Sequence, residues 1–118
     1  MYVAATLMGR LAADAELKFT NDGTPVASFT VMTSRRFNNP NTGKWEDRDV
    51  TGWRCAAFGD FAENLAAQFM KGDAVIVYGQ LSESTWEDRD GGKRSRIEMR
   101  VDAAGHDFRW GVPGASSQ

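Results

Sequence analysis

The stretch TGWRCAAFGDFAENLAAQFMKGDAVIVYGQL, residues 51–81, changes its hydrophobic period twice. Its middle reads as a helix. Asp60 stands at the cap position and Glu63, three residues on, completes a capping box that satisfies amides left without partners at a helix start. Phe61, Leu65 and Phe69 recur at four-residue spacing with Ala62, Ala66 and Met70 beside them, which makes one apolar stripe. Lys71 falls in the last turn and Gly72 just past it, the usual stop. On either side the spacing shortens: Thr51–Phe58 reads as one strand and Ala74–Leu81, AVIVYGQL, as another that is buried.

Working outward, the remaining elements are all strands. Tyr2–Leu11 is a first strand, and Glu16–Phe19 a short continuation stopped by the turn signal Asn21-Asp22-Gly23. Pro25–Ser34 alternates, with Ala27, Phe29 and Val31 on one face and Ser28, Thr30 and Met32 on the other. Phe37–Asp49 reads as a projecting hairpin whose tip is the turn-rich run Asn38-Asn39-Pro40-Asn41-Thr42-Gly43. After Leu81, Ser82–Lys93 forms a second, loop-rich arm turning at Asp90-Gly91-Gly92. Arg94–Ala103 alternates again, with Ser95, Ile97, Met99 and Val101 inward and Arg94, Arg96, Glu98 and Arg100 outward. Phe19, Phe29 and Phe69 are assigned to the core. Three strands, one helix and two strands is the element order of the OB-fold, a five-stranded Greek-key barrel known for binding oligonucleotides. The expected architecture is therefore all-β with one helix between strands three and four and two long hairpin arms. Residues 1–107 form this domain and residues 108–118 a short flexible segment.

Composition agrees with one globular domain: 118 residues, 42% hydrophobic and 25% charged. No apolar run reaches the ~18 residues of a membrane span. Met1-Tyr2-Val3 leads directly into a strand pattern, which predicts neither signal nor transit peptide. One cysteine permits neither an internal disulfide nor a thiolate zinc cluster, so a reducing, cytoplasmic setting is expected. The net charge of −2 argues against indiscriminate phosphate binding, but its distribution is uneven. Residues 35–48 carry +2 and residues 93–100 carry +3, whereas residues 49–92 carry −5.

Catalytic constellations are missing from the sequence. His106 is the lone histidine, Cys55 has no histidine within several residues, and no phosphate-cradling glycine loop is present. A buried apolar role suits Cys55, and neither cofactor nor metal is expected. What stands out is the company kept by aromatic and basic residues. Arg35, Arg36 and Phe37 open the first arm; Lys44 and Trp45, with Arg48, close it. Trp53 and Arg54 lie on the third strand and Phe58 at its end. Trp86 and Arg89 sit on the second arm, followed by Lys93, Arg94, Arg96 and Arg100. Flat rings stack on unpaired bases, and cations beside them neutralise the backbone. From this come the candidate DNA-binding residues: Arg35, Arg36, Phe37, Lys44, Trp45, Trp53, Arg54, Phe58, Trp86, Arg89, Lys93, Arg94 and Arg96. Each has a plainer alternative. Trp45 pins its hairpin, Phe58 packs in the core, or the strand of Arg94, Arg96 and Arg100 is merely solvated.

Several ordered segments resemble the bacterial and phage single-stranded DNA-binding proteins of the homotetrameric OB-fold type. They are Met8-Gly9-Arg10-Leu11, Ala15-Glu16-Leu17, Val26-Ala27-Ser28-Phe29, FGDFAENL from Phe58, KGDAVIVYGQL from Lys71, and Trp86-Glu87-Asp88-Arg89-Asp90-Gly91. The resemblance runs from Tyr2 to Asp107. It implies sequence-independent coating of single strands in replication, recombination and repair, and assembly as a dimer of dimers. By the same resemblance Phe37, Phe58 and Trp86 match base-stacking positions. Trp53 departs from the pattern: the family's strand-three aromatic stands six residues before the one matching Phe58, where this chain has Gly52. Trp53 therefore either stacks or packs. The chain ends Gly114-Ala115-Ser116-Ser117-Gln118, so recruitment of partners through an acidic tail is not expected. A replication or primosome adaptor that binds protein is the alternative function.

Overall fold

Residues 1–111 and 113 are described by the structure, a computed structural model. Among them the chain forms six strands: β1 Val3–Leu11, β2 Glu16–Phe19, β3 Pro25–Asn38, β4 Trp45–Phe58, β5 Ala74–Glu87 and β6 Lys93–His106. One helix, α1 Asp60–Gln68, lies between β4 and β5, and a 3-10 turn covers Phe108–Trp110. The strands run in the order β1-β5-β6-β4-β3-β2, and β1 also pairs with β3, which closes the sheet.

Closure depends on a bend. β1 pairs with β3 at Arg10↔Met32 and Leu11↔Val31, and β2 resumes the same antiparallel ladder at Glu16↔Ser28. Within the bend, the Ala12 amide donates to the Thr30 carbonyl (3.0 Å) and the Ala15 amide to that of Phe69 (3.0 Å). β1 and β2 are thus two limbs of one strand, and the barrel is the five-stranded OB-fold. Its interior is filled by alternating residues: Ala27, Phe29 and Val31 of β3, Cys55 and Ala57 of β4, Val75 and Val77 of β5, Met99 and Val101 of β6. The stretch Ala74–Leu81, read as buried throughout, thus turns only alternate side chains inward and leaves Ile76 and Tyr78 exposed. α1 plugs the barrel with Ala62 and Leu65, and Phe69 meets Phe29 edge-to-face at 5.5 Å.

Several sequence expectations give way to the geometry. The helix cap is Gly59 (φ 89°), not Asp60, and no side-chain cap bond forms. Positive φ at Gly59 turns the chain so sharply that Asp60 is already helical; Asp60 and Glu63 face the positive end of the helix dipole instead. The helix stops at Gln68, before Lys71 and Gly72, because Phe69 takes extended backbone to enter the core. Phe19 is exposed rather than buried, since β2 is an edge strand beyond the closed part of the barrel. Neither arm is loop-rich. β3 and β4 pair out to Asn38↔Trp45, and β5 and β6 to Glu87↔Lys93. Ser95 and Ile97, read as inward, lie on this second ladder past the rim, where there is no interior for them to fill. The expected flexible stretch 108–118 begins with the ordered turn Phe108–Trp110; residues 112 and 114–118 lie outside the described residues.

Candidate nucleic-acid interface

The register of four strands decides which candidate side chains share a surface. From Val26↔Phe58 to Thr33↔Thr51 the β3–β4 ladder runs without interruption, so no bulge resets β4 between Thr51 and Phe58. Trp53 therefore stays on the inner face with Cys55 and Ala57, packs against the core, and donates its indole N–H to the Thr33 hydroxyl at 2.9 Å. Of the two roles left open for Trp53, packing is the one its placement supports. Arg54, Ala56 and Phe58 point outward, and Phe58 is 43% exposed rather than core.

β6 runs beside β4, with Arg54↔Glu98 and Ala56↔Arg100, and beside β5, with Ser84↔Arg96 and Trp86↔Arg94. One outer surface thus carries Phe58, Arg54, Arg100, Arg96, Arg94 and Trp86. Two rings on it are already covered on one side by a cation: the Arg100 guanidinium lies 4.9 Å from the Phe58 centroid, and that of Arg96 lies 5.0 Å from Trp86. Each such cation–π contact is worth about 0.5–1 kcal/mol at an exposed site. A cleft of about 360 Å³ opens on the same surface, between Ala12–Asp14 of the bend and Arg54, Arg96 and Glu98.

The first arm repeats the device on both of its faces. Arg36 stands 6.0 Å from the Trp45 ring and Arg48 only 3.6 Å from that of Phe37. Phe37 pairs with Glu46 while Trp45 pairs with Asn38, so the two rings project from opposite sides of the hairpin. Even-numbered β3 positions continue the outer barrel surface, which puts Trp45 and Arg36 in line with Phe58; Phe37 faces the other way. A bulge lets Asp49 (φ 56°) and Val50 oppose Ser34, and Asp49 binds Arg35 Nε at 2.9 Å at the foot of the arm.

Carboxylates hold several of these cations in place. Arg36 pairs with Asp47 (3.6 Å), Arg94 with Asp88 (2.9 Å) and Arg96 with Glu98 (2.7 Å), all with their arginines well exposed. Exposed pairs contribute only about 0.2–1 kcal/mol, so an incoming anion can displace the acid at little cost. The Arg94 guanidinium and the Gly92 amide hold the Asp88 carboxyl below its usual range. Lys44 and Arg89 sit at the two hairpin tips, and Lys93 at the end of the second ladder; all three are exposed and make no ion pair among the described residues. Two arginines absent from the candidate set, Arg48 and Arg100, cover rings within it. Their signal was the cross-strand register, which sequence alone leaves open. The arrangement can sandwich flat, unpaired rings and hold a polyanion; burial meanwhile pushes the Cys55 thiol up to about 12, which removes it as a nucleophile.

The model of the single-strand binding protein family matches residues 3–107. The chain belongs to this family. Its relatives include the single-stranded DNA-binding protein of Mycobacterium tuberculosis, 41% identical over 105 residues that make up 89% of this chain and 64% of that protein. Single-stranded DNA-binding protein 2 of Streptomyces coelicolor is 38% identical over 104 residues, 88% of this chain and 52% of its own length. The chain thus spans less than two thirds of these curated relatives. A crystal structure of the small single-stranded DNA-binding protein from Streptomyces coelicolor superimposes with a TM-score of 0.79, covering 93% of this chain and 98% of that one. At 24% identity that likeness establishes the fold. The family match stops at Asp107, so Phe108–Trp110 lie beyond it.

Proposed function

We propose that this chain binds single-stranded DNA without sequence preference and so protects it during replication, recombination and repair. The observation that carries the reading is the outer surface on which Phe58, Trp86 and Trp45 are each paired with an arginine. A guanidinium on one side of each ring leaves the other side for a base, and every base offers a π-face. Phosphates exchange with Asp47, Asp88 and Glu98 for their arginines, so the acids preorganise cations without blocking them. Phe37, with Arg48, serves the strand where it passes the far side of the first arm; Trp53 supports the surface from beneath. The names of the mycobacterial and streptomycete relatives agree with this reading. Binding rather than catalysis is the chain's work.

Self-association belongs to the same proposal. Among the described residues β1 pairs with β3 only at Arg10 and Leu11, which leaves the edge of Val3–Gly9 opposite β5 unpaired, and Ile76 and Tyr78 lie exposed on the neighbouring outer face. A free edge beside an apolar patch favours strand pairing with a second copy, and two such dimers give the homotetramer. No helix among the described residues is long and apolar enough to cross a membrane; the proposed setting is the cytoplasm or nucleoid. Anisotropy of labelled oligo(dT), set against a labelled duplex of equal length, tests the function. The proposal expects tight binding of the single strand and little of the duplex, whose bases are already stacked. Equal affinity for both, or for neither, contradicts it. A replication protein captured equally well with and without DNA points to the adaptor role instead.

A further inference from the structure

A fifth arginine–aromatic pair lies away from the surface just described. The Arg10 guanidinium stands 5.6 Å from the ring centroid of Trp110, which is 60% exposed. Both partners are held from behind. Arg10 donates to the Gly72 carbonyl at 2.8 Å. Trp110 sits in the 3-10 turn that buried Asp107 organises: its carboxylate accepts from the Arg109 amide (3.1 Å) and side chain (2.6 Å), and its carbonyl from the Trp110 amide (3.3 Å). Between this turn and the foot of the first arm runs a groove of about 420 Å³, floored by Met8 and Met32 and reaching Arg36 and Asp47. Arg36 is also the residue over Trp45, so the groove continues from the outer face of the first arm. Arg109 and Arg36 are paired with Asp107 and Asp47, but Arg10 has no carboxylate partner among the described residues.

We propose that this groove is a further subsite for the single strand, with Trp110 stacking a base and Arg10 meeting a phosphate. The proposal rests on the binding reading above and extends the strand's path past the first arm to the C-terminal turn. A rigid exposed ring with a fixed cation is the unit already repeated at Trp45, Phe58 and Trp86, and the shared Arg36 makes the path continuous.

Affinity for oligo(dT) of about 65 nucleotides, enough for four domains at up to about 16 each, is measured for the unaltered chain, Trp110→Ala, Trp110→Phe and Trp86→Ala, with sedimentation of each. The subsite predicts a loss between about 5- and 150-fold for Trp110→Ala, most of the affinity kept by Trp110→Phe, and unchanged sedimentation. Arg10→Gln flattens the slope of log affinity against log salt by about 0.7, one phosphate's worth. Unchanged affinity of Trp110→Ala beside a weakened Trp86→Ala overturns the subsite and spares the main surface. Unchanged affinity of both overturns the binding reading itself. Dissociated oligomers of Trp110→Ala with per-chain affinity intact also overturn the subsite, and assign Trp110 to a contact between copies.

Discussion

Phe58 and Trp86 leave large apolar rings in water, 43% and 41% exposed, although the barrel below has a complete core. Their arginines offset part of that cost, and a base on the free side offsets more. Phe58→Ala and Trp86→Ala should each weaken single-strand binding by about 1–3 kcal/mol while leaving the melting temperature nearly unchanged, as anisotropy and calorimetry would measure. Trp53 should do the reverse. Trp53→Phe removes the bond to Thr33 and costs about 0.5–1.5 kcal/mol of stability, with affinity retained. Alternation in the sequence already put Trp53 with Cys55 and Ala57; whether a bulge intervened was invisible, because the register of β3 against β4 is set by the whole ladder. Cys55 gives a third check. Its thiol titrates near 9.0 unfolded and about 12 folded, so the folded state gains from keeping it neutral below pH 9 and loses that gain as pH rises toward 12. A thiol reagent at pH 8 should find it unreactive until the protein is unfolded; fast reaction of the native chain would mean the core is open there.

At the scale of elements, the arms are ladders without an interior. Hydrophobic alternation, the signal that reveals a strand in sequence, reports burial on one face. Past the barrel rim neither face is buried, so charged and aromatic residues occupy both while the hydrogen bonds continue. That is why the turn residues of both tips were legible and the length of the strands leading to them was not. The same reasoning explains the helix: its apolar stripe was readable, but its cap was misassigned because Gly59 accomplishes the turn through backbone conformation alone. In the second tip Asp88 accepts from the Asp90 and Gly92 amides and from Arg94. Its carboxyl is depressed below 3.8, chiefly by Arg94, so the order it confers is present above that value and lost as pH falls through the folded pKa. Protection of the Gly92 amide, relative to its intrinsic exchange rate at each pH, should fall on acidification or in Asp88→Asn, ahead of global unfolding; protection lost only with the whole barrel would refute the local role. Gly79 marks the join between arm and barrel, at the β5 register shift, where a Cβ would strike the Arg100 carbonyl. Gly79→Ala should destabilise by about 1–3 kcal/mol, read from urea midpoints.

For the molecule as a whole, an acidic net charge and a polyanionic ligand are compatible because charge is segregated: residues 35–48 and 93–100 carry +2 and +3, while the acidic surplus lies in residues 49–92, at −5. Asp47, Asp88 and Glu98 each hold a cation in position, and once paired they add no surplus of their own. The fold was legible because the element order and the core alternation survive in one dimension; the shared surface was not, because it is assembled by the parallel pairing of β4 with β6 across a sequence separation of 44 residues, from Arg54 to Glu98. The most direct test of stacking backed by arginine is a titration of intrinsic tryptophan emission with oligo(dT), at low and at high salt, for the native chain and for Trp86→Phe. Strong quenching in the native chain, smaller quenching in the variant, and an affinity that falls steeply with salt are predicted. Emission indifferent to saturating oligo(dT), or equal quenching in both proteins, would contradict the account.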